Sequence, residues 1–259
     1  MKCKKLITSL ALLMGSASAL AHNCPNITWP QLHSALQTVV AESNGGLGFN
    51  MWATIVGKDG TVCLVARSGD ASINDQWLIS RVISAQKANT ANGLSTNQFA
   101  LSTANLYSAV QPNGTLFGLQ HSNPVDSEAA YRGNSQHFGT DKDPLVGRKI
   151  GGVNVFGGGL ALYNGSGLAG GLGVSGDTSC ADHNIAWRVR EKLSGYTVAN
   201  VPAGVGTLNG LGLKDNIEYL APPQLVSPFS PTENPNGFKH PWCSDNAKSI
   251  ADGFNVGLP

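Results

Sequence analysis

The 259-residue sequence predicts an α+β domain. Three observations point there: two hairpins turned by glycine, amphipathic segments at helical spacing before, between and after them, and no β-α-β repeat that would demand parallel strands. Helices must then cover the faces of an antiparallel sheet.

Residues 1–21 are expected to stay out of this fold. Met1-Lys-Cys-Lys-Lys5 is a basic start, Leu6 to Met14 a short apolar run, and Ala19-Leu20-Ala21 a small-residue cleavage signal, the pattern of a secretory leader. The apolar run is too short to cross a bilayer. The expectation is an exported chain, periplasmic or secreted, cut near Ala21 and without a membrane span. Loss of Lys2, Lys4 and Lys5 takes the formal charge from +1 to −2, a balance that suggests no nucleic-acid partner. Cys24, Cys63, Cys180 and Cys243 stay in the mature chain. An even count in an exported protein reads as two disulfides, with three possible pairings. Cys24–Cys63 with Cys180–Cys243 is the preferred one, and the second bridge is worth about 4 kcal/mol in the chain-entropy picture.

Pro30 opens the first helix, whose face carries Leu32, Leu36, Val39 and Val40 as far as Glu42. Gly45-Gly46 ends it. Phe49 to Val56 and Thr61 to Arg67 flank Gly57-Lys58-Asp59-Gly60, a hairpin signal. From Asn74 to Ala91 the pattern is helical, with Trp77, Leu78, Val82, Ala85 and Ala88 on one face. A short helix is expected from Thr103 to Val110, stopped by Pro112, then a third strand from Thr115 to Gln120. Residues 121–152 read as a polar loop able to cover a site. Val153 to Asn164 and Leu168 to Val174 form the second hairpin, around Asn164-Gly-Ser-Gly167, and the last helix runs from Cys180 to Leu193. Eight of the thirteen prolines follow residue 200, so residues 197–259 are expected to wrap the domain with little regular structure.

Gly171-Leu-Gly173-Val-Ser-Gly176 spells a dinucleotide fingerprint between a strand and a helix. Its strand belongs to a hairpin, however, and no acid ends a strand some twenty residues on. Asp177 and Asp182 would also repel a pyrophosphate at that helix start. The glycines instead serve a tight turn and close packing. On the following helix Ile185, Ala186, Val189 and Leu193 form an apolar stripe with Asp182 at its centre. A carboxylate facing the core requires a partner, and Lys87 or Arg81 on the other long helix could supply it.

His183 lies on the flank of the stripe, one turn before Trp187, and is expected half exposed beside a cavity. Imidazole next to indole suits a flat aromatic ligand or a metal-bearing macrocycle. His33 sits at the edge of the first helix's apolar face, His121 ends the expected third strand, and His137 lies in the long loop. No HExxH, HxH or carboxylate-rich cluster points to a zinc hydrolase. Ser175 lacks the spacing of a nucleophile elbow.

Five segments in order resemble the GlcG/HbpS heme-binding family, also called heme-degrading. They are Lys58-Asp-Gly60 with the strand after it, Lys87-Ala-Asn-Thr-Ala91, Leu101-Ser-Thr-Ala-Asn-Leu106, Gly151-Gly-Val-Asn-Val-Phe-Gly-Gly-Gly159, and Gly173-Val-Ser-Gly176 with Asp182. The likeness spans about residues 32–193, and the family is related to the C-terminal domain of PduO-type corrinoid adenosyltransferases. It implies a profilin-like domain over residues 22–196, with about five antiparallel strands under helices on both faces, heme or iron binding, and a homo-oligomer. In that picture one histidine holds heme in a mostly apolar pocket. His183 comes first, with His121 and His33 next. Trp187 stacks on the macrocycle, Lys87 or Arg81 meets a propionate, and Asp182 lies alongside. Gly-rich strands would let the macrocycle approach the backbone. Two other readings are an enzyme acting on heme or a small organic acid, with Asp182 and Lys87 as its acid–base pair, and a non-catalytic accessory domain marked by an exposed apolar patch.

Overall fold

The structure is a computed structural model, and its described residues are 23–208, 214–220 and 237–254. The leader expected at 1–21 and much of the proline-rich tail lie outside them. In chain order the elements are α1 (Trp29–Val40), β1 (Trp52–Gly57), β2 (Val62–Arg67), α2 (Ser80–Gly93), β3 (Phe99–Ala100), α3 (Leu119–Ser122), α4 (Ser127–Tyr131), β4 (Gly159–Asn164), β5 (Gly167–Ser175), α5 (Ser179–Lys192), β6 (Ala203–Gly204), α6 (Val205–Leu208) and α7 (Asp245–Gly253).

Both expected hairpins form and join into one sheet of order β2-β1-β5-β4, antiparallel throughout. Gly60 (φ +80°) and Gly167 (φ +100°) supply left-handed turn conformations that a Cβ disfavours. Alternation along β1 then sorts its side chains: Ala53 and Ile55 join the core under α1 and α5, while Trp52 and Val56 join the core under α2. Leu32, Leu36 and Val39 of α1 meet Ile185, Ala186 and Val189 of α5 over the first face. Each large aliphatic side chain buried there contributes about 1.5–3 kcal/mol.

The other face is built from small residues. A Cβ on Gly173 would sit 1.9 Å from the Ser84 carbonyl oxygen, and one on Gly171 2.3 Å from that of Ala88. The backbone of α2 therefore lies directly on β5, and the Thr54 and Ser84 hydroxyls share a hydrogen bond between sheet and helix (2.7 Å). These strand glycines receive a helix, and the expectation that they would receive a macrocycle is corrected.

Four more expectations change. Thr115–Gln120 is not a strand: the Phe117 N–H bonds the Gly114 carbonyl in a turn, and Gly118, at φ +92°, starts α3. The main sheet thus has four strands among the described residues, not five, and β3 and β6 form a separate two-residue parallel pair. The helix expected from Asn74 begins only at Ser80, because Gln76 is extended after a short 3₁₀ turn. Trp77 and Leu78, read as core, are 48% and 44% exposed. Thr103–Val110 is two 3₁₀ turns, and the second hairpin's first strand starts at Gly159 instead of Val153.

Cys24 bonds Cys63 and Cys180 bonds Cys243, the preferred pairing. The second bridge ties the start of α5 to the segment before α7. Residues beyond α5 hold more regular structure than expected. The Ser244 side chain caps α7 by accepting from the Ala247 N–H, and α7 buries Ala247 and Ala251. No helix among the described residues is long and apolar enough to cross a membrane.

Candidate functional site

The carboxylate expected to turn inward does so. Asp182, in the first turn of α5, is buried and accepts a hydrogen bond from the Lys87 Nζ at 2.6 Å and from the Asp177 N–H at 2.8 Å. Lys87 reaches it from α2 past the end of the sheet, and its ammonium also donates to the Val174 carbonyl (3.0 Å) and the Ser175 hydroxyl (3.3 Å). Three donors thus meet three acceptors. Burial pushes the Asp182 carboxyl up to about 6 against the pull of Lys87, and the same burial lowers the Lys87 ammonium. The pair is sealed and fastens α2 to α5. Arg81 takes a different partner: its guanidinium forks onto buried Asp143 (Nε–Oδ2 2.9 Å) and lies over the Phe138 ring. Neither cation is free to meet a propionate.

His183 is 0% exposed, which corrects the expected half exposure. The cause is the chain beyond α5. His183 Nε2–H donates to the Asn216 side-chain oxygen (3.0 Å), which also accepts the Ile217 N–H (2.8 Å). The Asn216 amide is oriented by its nitrogen donating to the Ala251 carbonyl, and Trp187 packs beside the ring at 6.2 Å between centroids. The other ring nitrogen, Nδ1, has no hydrogen-bond partner among the described residues. Burial depresses the imidazole to about 4, so it is neutral at physiological pH. Trp187 is itself buried, stacked on Phe254 and covered by the Arg190 guanidinium. Arg190 in turn forks onto Asp215, both buried, at 2.6 and 3.1 Å.

His33 is half-buried on α1, stacked on Trp29 (4.4 Å) and 3.0 Å from the Asp70 carboxylate. His121, on α3, is exposed, as is His137. Phe117, four residues before His121, is 63% exposed, and Tyr131 is also largely open to solvent. The structure therefore gathers Lys87, Asp182, His183 and Trp187 around α5 and leaves Arg81, His33 and His121 apart from them.

Two features escaped the sequence reading. Asp177 accepts hydrogen bonds from the N–H groups of Leu47, Gly48, Phe49 and Thr178. The glycine run Gly45-Gly46-Leu47-Gly48 was the available signal for such a backbone nest. Beside it lies a cleft of about 190 Å³ lined by Val40, Asn44, Phe49, Asp177 and Ile185, below the ~300–1,000 Å³ usual for organic ligands. Leu47, Phe49, Trp77, Leu78 and Ile79 are exposed, with Phe49 and Trp77 edge to face at 5.1 Å. The second feature is His240. It is buried, hydrogen-bonded to Ser179, and held down to about 4 by desolvation.

The family described as "Haem degrading protein HbpS-like" matches residues 27–190. The chain belongs to this family. No curated protein matches it. Among solved structures it is similar to a PduOC–heme complex (25% identity, TM-score 0.44, covering 65% of this chain and 93% of that one). It is also similar to the Klebsiella pneumoniae protein ORFY (23%, TM-score 0.42, 73% and 97%) and to HbpS (16%, TM-score 0.39, 71% and 96%). The HbpS-like match ends at residue 190, so Asp215, Asn216 and Ile217, which cover His183 and Arg190, belong to chain beyond the matched domain.

Proposed function

We propose that this HbpS-like chain is an exported heme-binding protein, that residues 22–196 carry the ligand, and that residues 214–220 and 237–254 close over α5. Family membership supplies the ligand class. The observation that carries the location is access. The group around His183 does not fit a porphyrin, because the ring is wholly buried and its Nε2–H is held by the Asn216 side chain. The turn around His121 fits better, since it offers an exposed imidazole with the exposed Phe117 ring four residues earlier in sequence. Heme bound there would contribute an iron able to accept an imidazole nitrogen. His121 would hold it, and Phe117, with Tyr131, would give the macrocycle an apolar surface. His183, Trp187, Lys87, Arg81 and Asp182 then serve as scaffold, and His33 is held in its pair with Asp70.

Titration of the full chain with hemin tests this. A saturable Soret shift at one heme per chain is expected, reduced at least ten-fold in His121→Ala and kept in a folded His183→Gln. The absence of any Soret shift would overturn the ligand. A shift lost in His183→Gln and kept in His121→Ala would overturn the location.

A further inference from the structure

Cys180, His240 and Cys243 bring two sulfurs and an imidazole nitrogen within 4.8 Å of one another, although 60 residues of sequence separate the first from the second. The sulfurs are joined as a disulfide. We infer that reduction of this bridge creates a zinc site, with the Cys180 and Cys243 thiolates and the His240 imidazole as its protein ligands.

The geometry supports each part of this. His240-Pro-Trp-Cys243 is a short H-x2-C pair that places two donors on one turn of chain. Cys180 is the second residue of a 14-residue helix, where the helix N-terminus favours a thiolate. His240 Nδ1 lies 3.7 Å from Cys180 Sγ. In the bridged form this nitrogen carries the proton and donates to the Pro241 carbonyl (2.7 Å), while Nε2 accepts from the Ser179 hydroxyl (2.7 Å). Moving the proton to Nε2 turns that second bond around, so that Nε2–H donates to Ser179. Nδ1 is then free for a metal, with the ring oriented from behind as metal-bound histidines require. Ser179 is already fixed by the Gly157 N–H (2.6 Å). Three protein ligands leave a fourth position for water.

The redox step balances with a dithiol as reductant. Its first thiolate bonds to Cys243 Sγ, the exposed sulfur, and the buried Cys180 leaves as a thiolate. The second thiol of the reductant then displaces Cys243. The reductant ends as a disulfide and two electrons pass to the two cysteines. Zinc binding keeps both as thiolates and releases their protons. Metal then takes over from the disulfide in tying α5 to the segment before α7, so either form keeps the cover on His183.

The test uses the full mature chain with Cys24→Ser and Cys63→Ser, which leaves one cysteine pair. It is reduced with a dithiol without oxygen, given zinc and desalted, and metal per chain is counted while circular dichroism follows the fold. Retention of one zinc is expected in the reduced form and none in the oxidised form. Zinc-edge X-ray absorption should show two sulfurs near ~2.3 Å and a histidine nitrogen near ~2.0–2.1 Å. His240→Ala, folded when oxidised, should bind at least ten-fold more weakly once reduced. No zinc retained, a chain that unfolds on reduction, absorption without a histidine nitrogen, or equal binding by His240→Ala would each overturn the inference.

Discussion

The outer side of α5 and the turn around α3 each present a histidine with an aromatic residue four positions away in sequence, yet they differ in what a ligand can reach. His183 and Trp187 lie beneath residues 215–217 and α7, while His121 and Phe117 face water. An imidazole can be neutral, oriented and lined by apolar side chains and still be scaffold when the chain closes over it and a side-chain amide holds its N–H. Accessibility, more than residue type, separates the two regions.

That contrast can be broken most severely at Asp215. Asp215→Ala leaves the buried Arg190 without its carboxylate, and the loss of one partner of such a pair costs about 3–5 kcal/mol. Urea denaturation should show a fall of that size. A fall under about 1 kcal/mol would mean that the cover on α5 is loosely held. A comparable effect is expected on the opposite face of the sheet. Gly173→Ala drives a methyl into the Ser84 carbonyl and should cost about 3 kcal/mol or more, read as a lowered Tm. A neutral result would mean that α2 can lift from β5.

Acid sharpens the comparison by a smaller amount. His183 is neutral in the fold with its pKa lowered to about 4 from 6.5. It therefore contributes stability that is complete above about 6.5 and is lost as pH falls toward 4, by up to roughly 3 kcal/mol. Asp182, raised to about 6, acts in the opposite sense, favouring the fold below about 4 and losing that contribution as pH rises through 6. The two partly cancel in the wild type. The informative quantity is the stability gap between wild type and His183→Gln, which should narrow as pH drops from 7 to 4. A gap independent of pH would place His183 in contact with solvent. The smallest expected change in stability is His121→Ala, within about 0.5 kcal/mol as for surface sites generally, together with the largest change in hemin binding.

The sheet was legible because hairpins are local: Gly57–Gly60 and Asn164–Gly167 announce their turns, and period-two burial follows from them. The inward turn of Asp182 was legible from the stripe on α5, and Lys87 from the need to neutralise it. The cover on His183 was not. Ile217 and Asn216 lie more than thirty residues on, and no periodicity links a side-chain amide there to a ring on α5. Trp77 and Leu78 misled for a related reason: their spacing extends the face of α2, but the backbone is extended at Gln76 and the helix has not begun. Thr115–Gln120 carried an apolar, strand-like pattern, and Gly114 and Gly118 made turns of it.

Hydrogen exchange across the whole chain, with and without hemin, separates the two regions most directly. Heme held at the turn around His121 should slow exchange in residues 114–138 and leave α5 and residues 214–219 unchanged. Faster exchange at 214–219 with new protection on α5 would show the cover opening to admit the macrocycle at His183, and would contradict the division of roles drawn between these histidines.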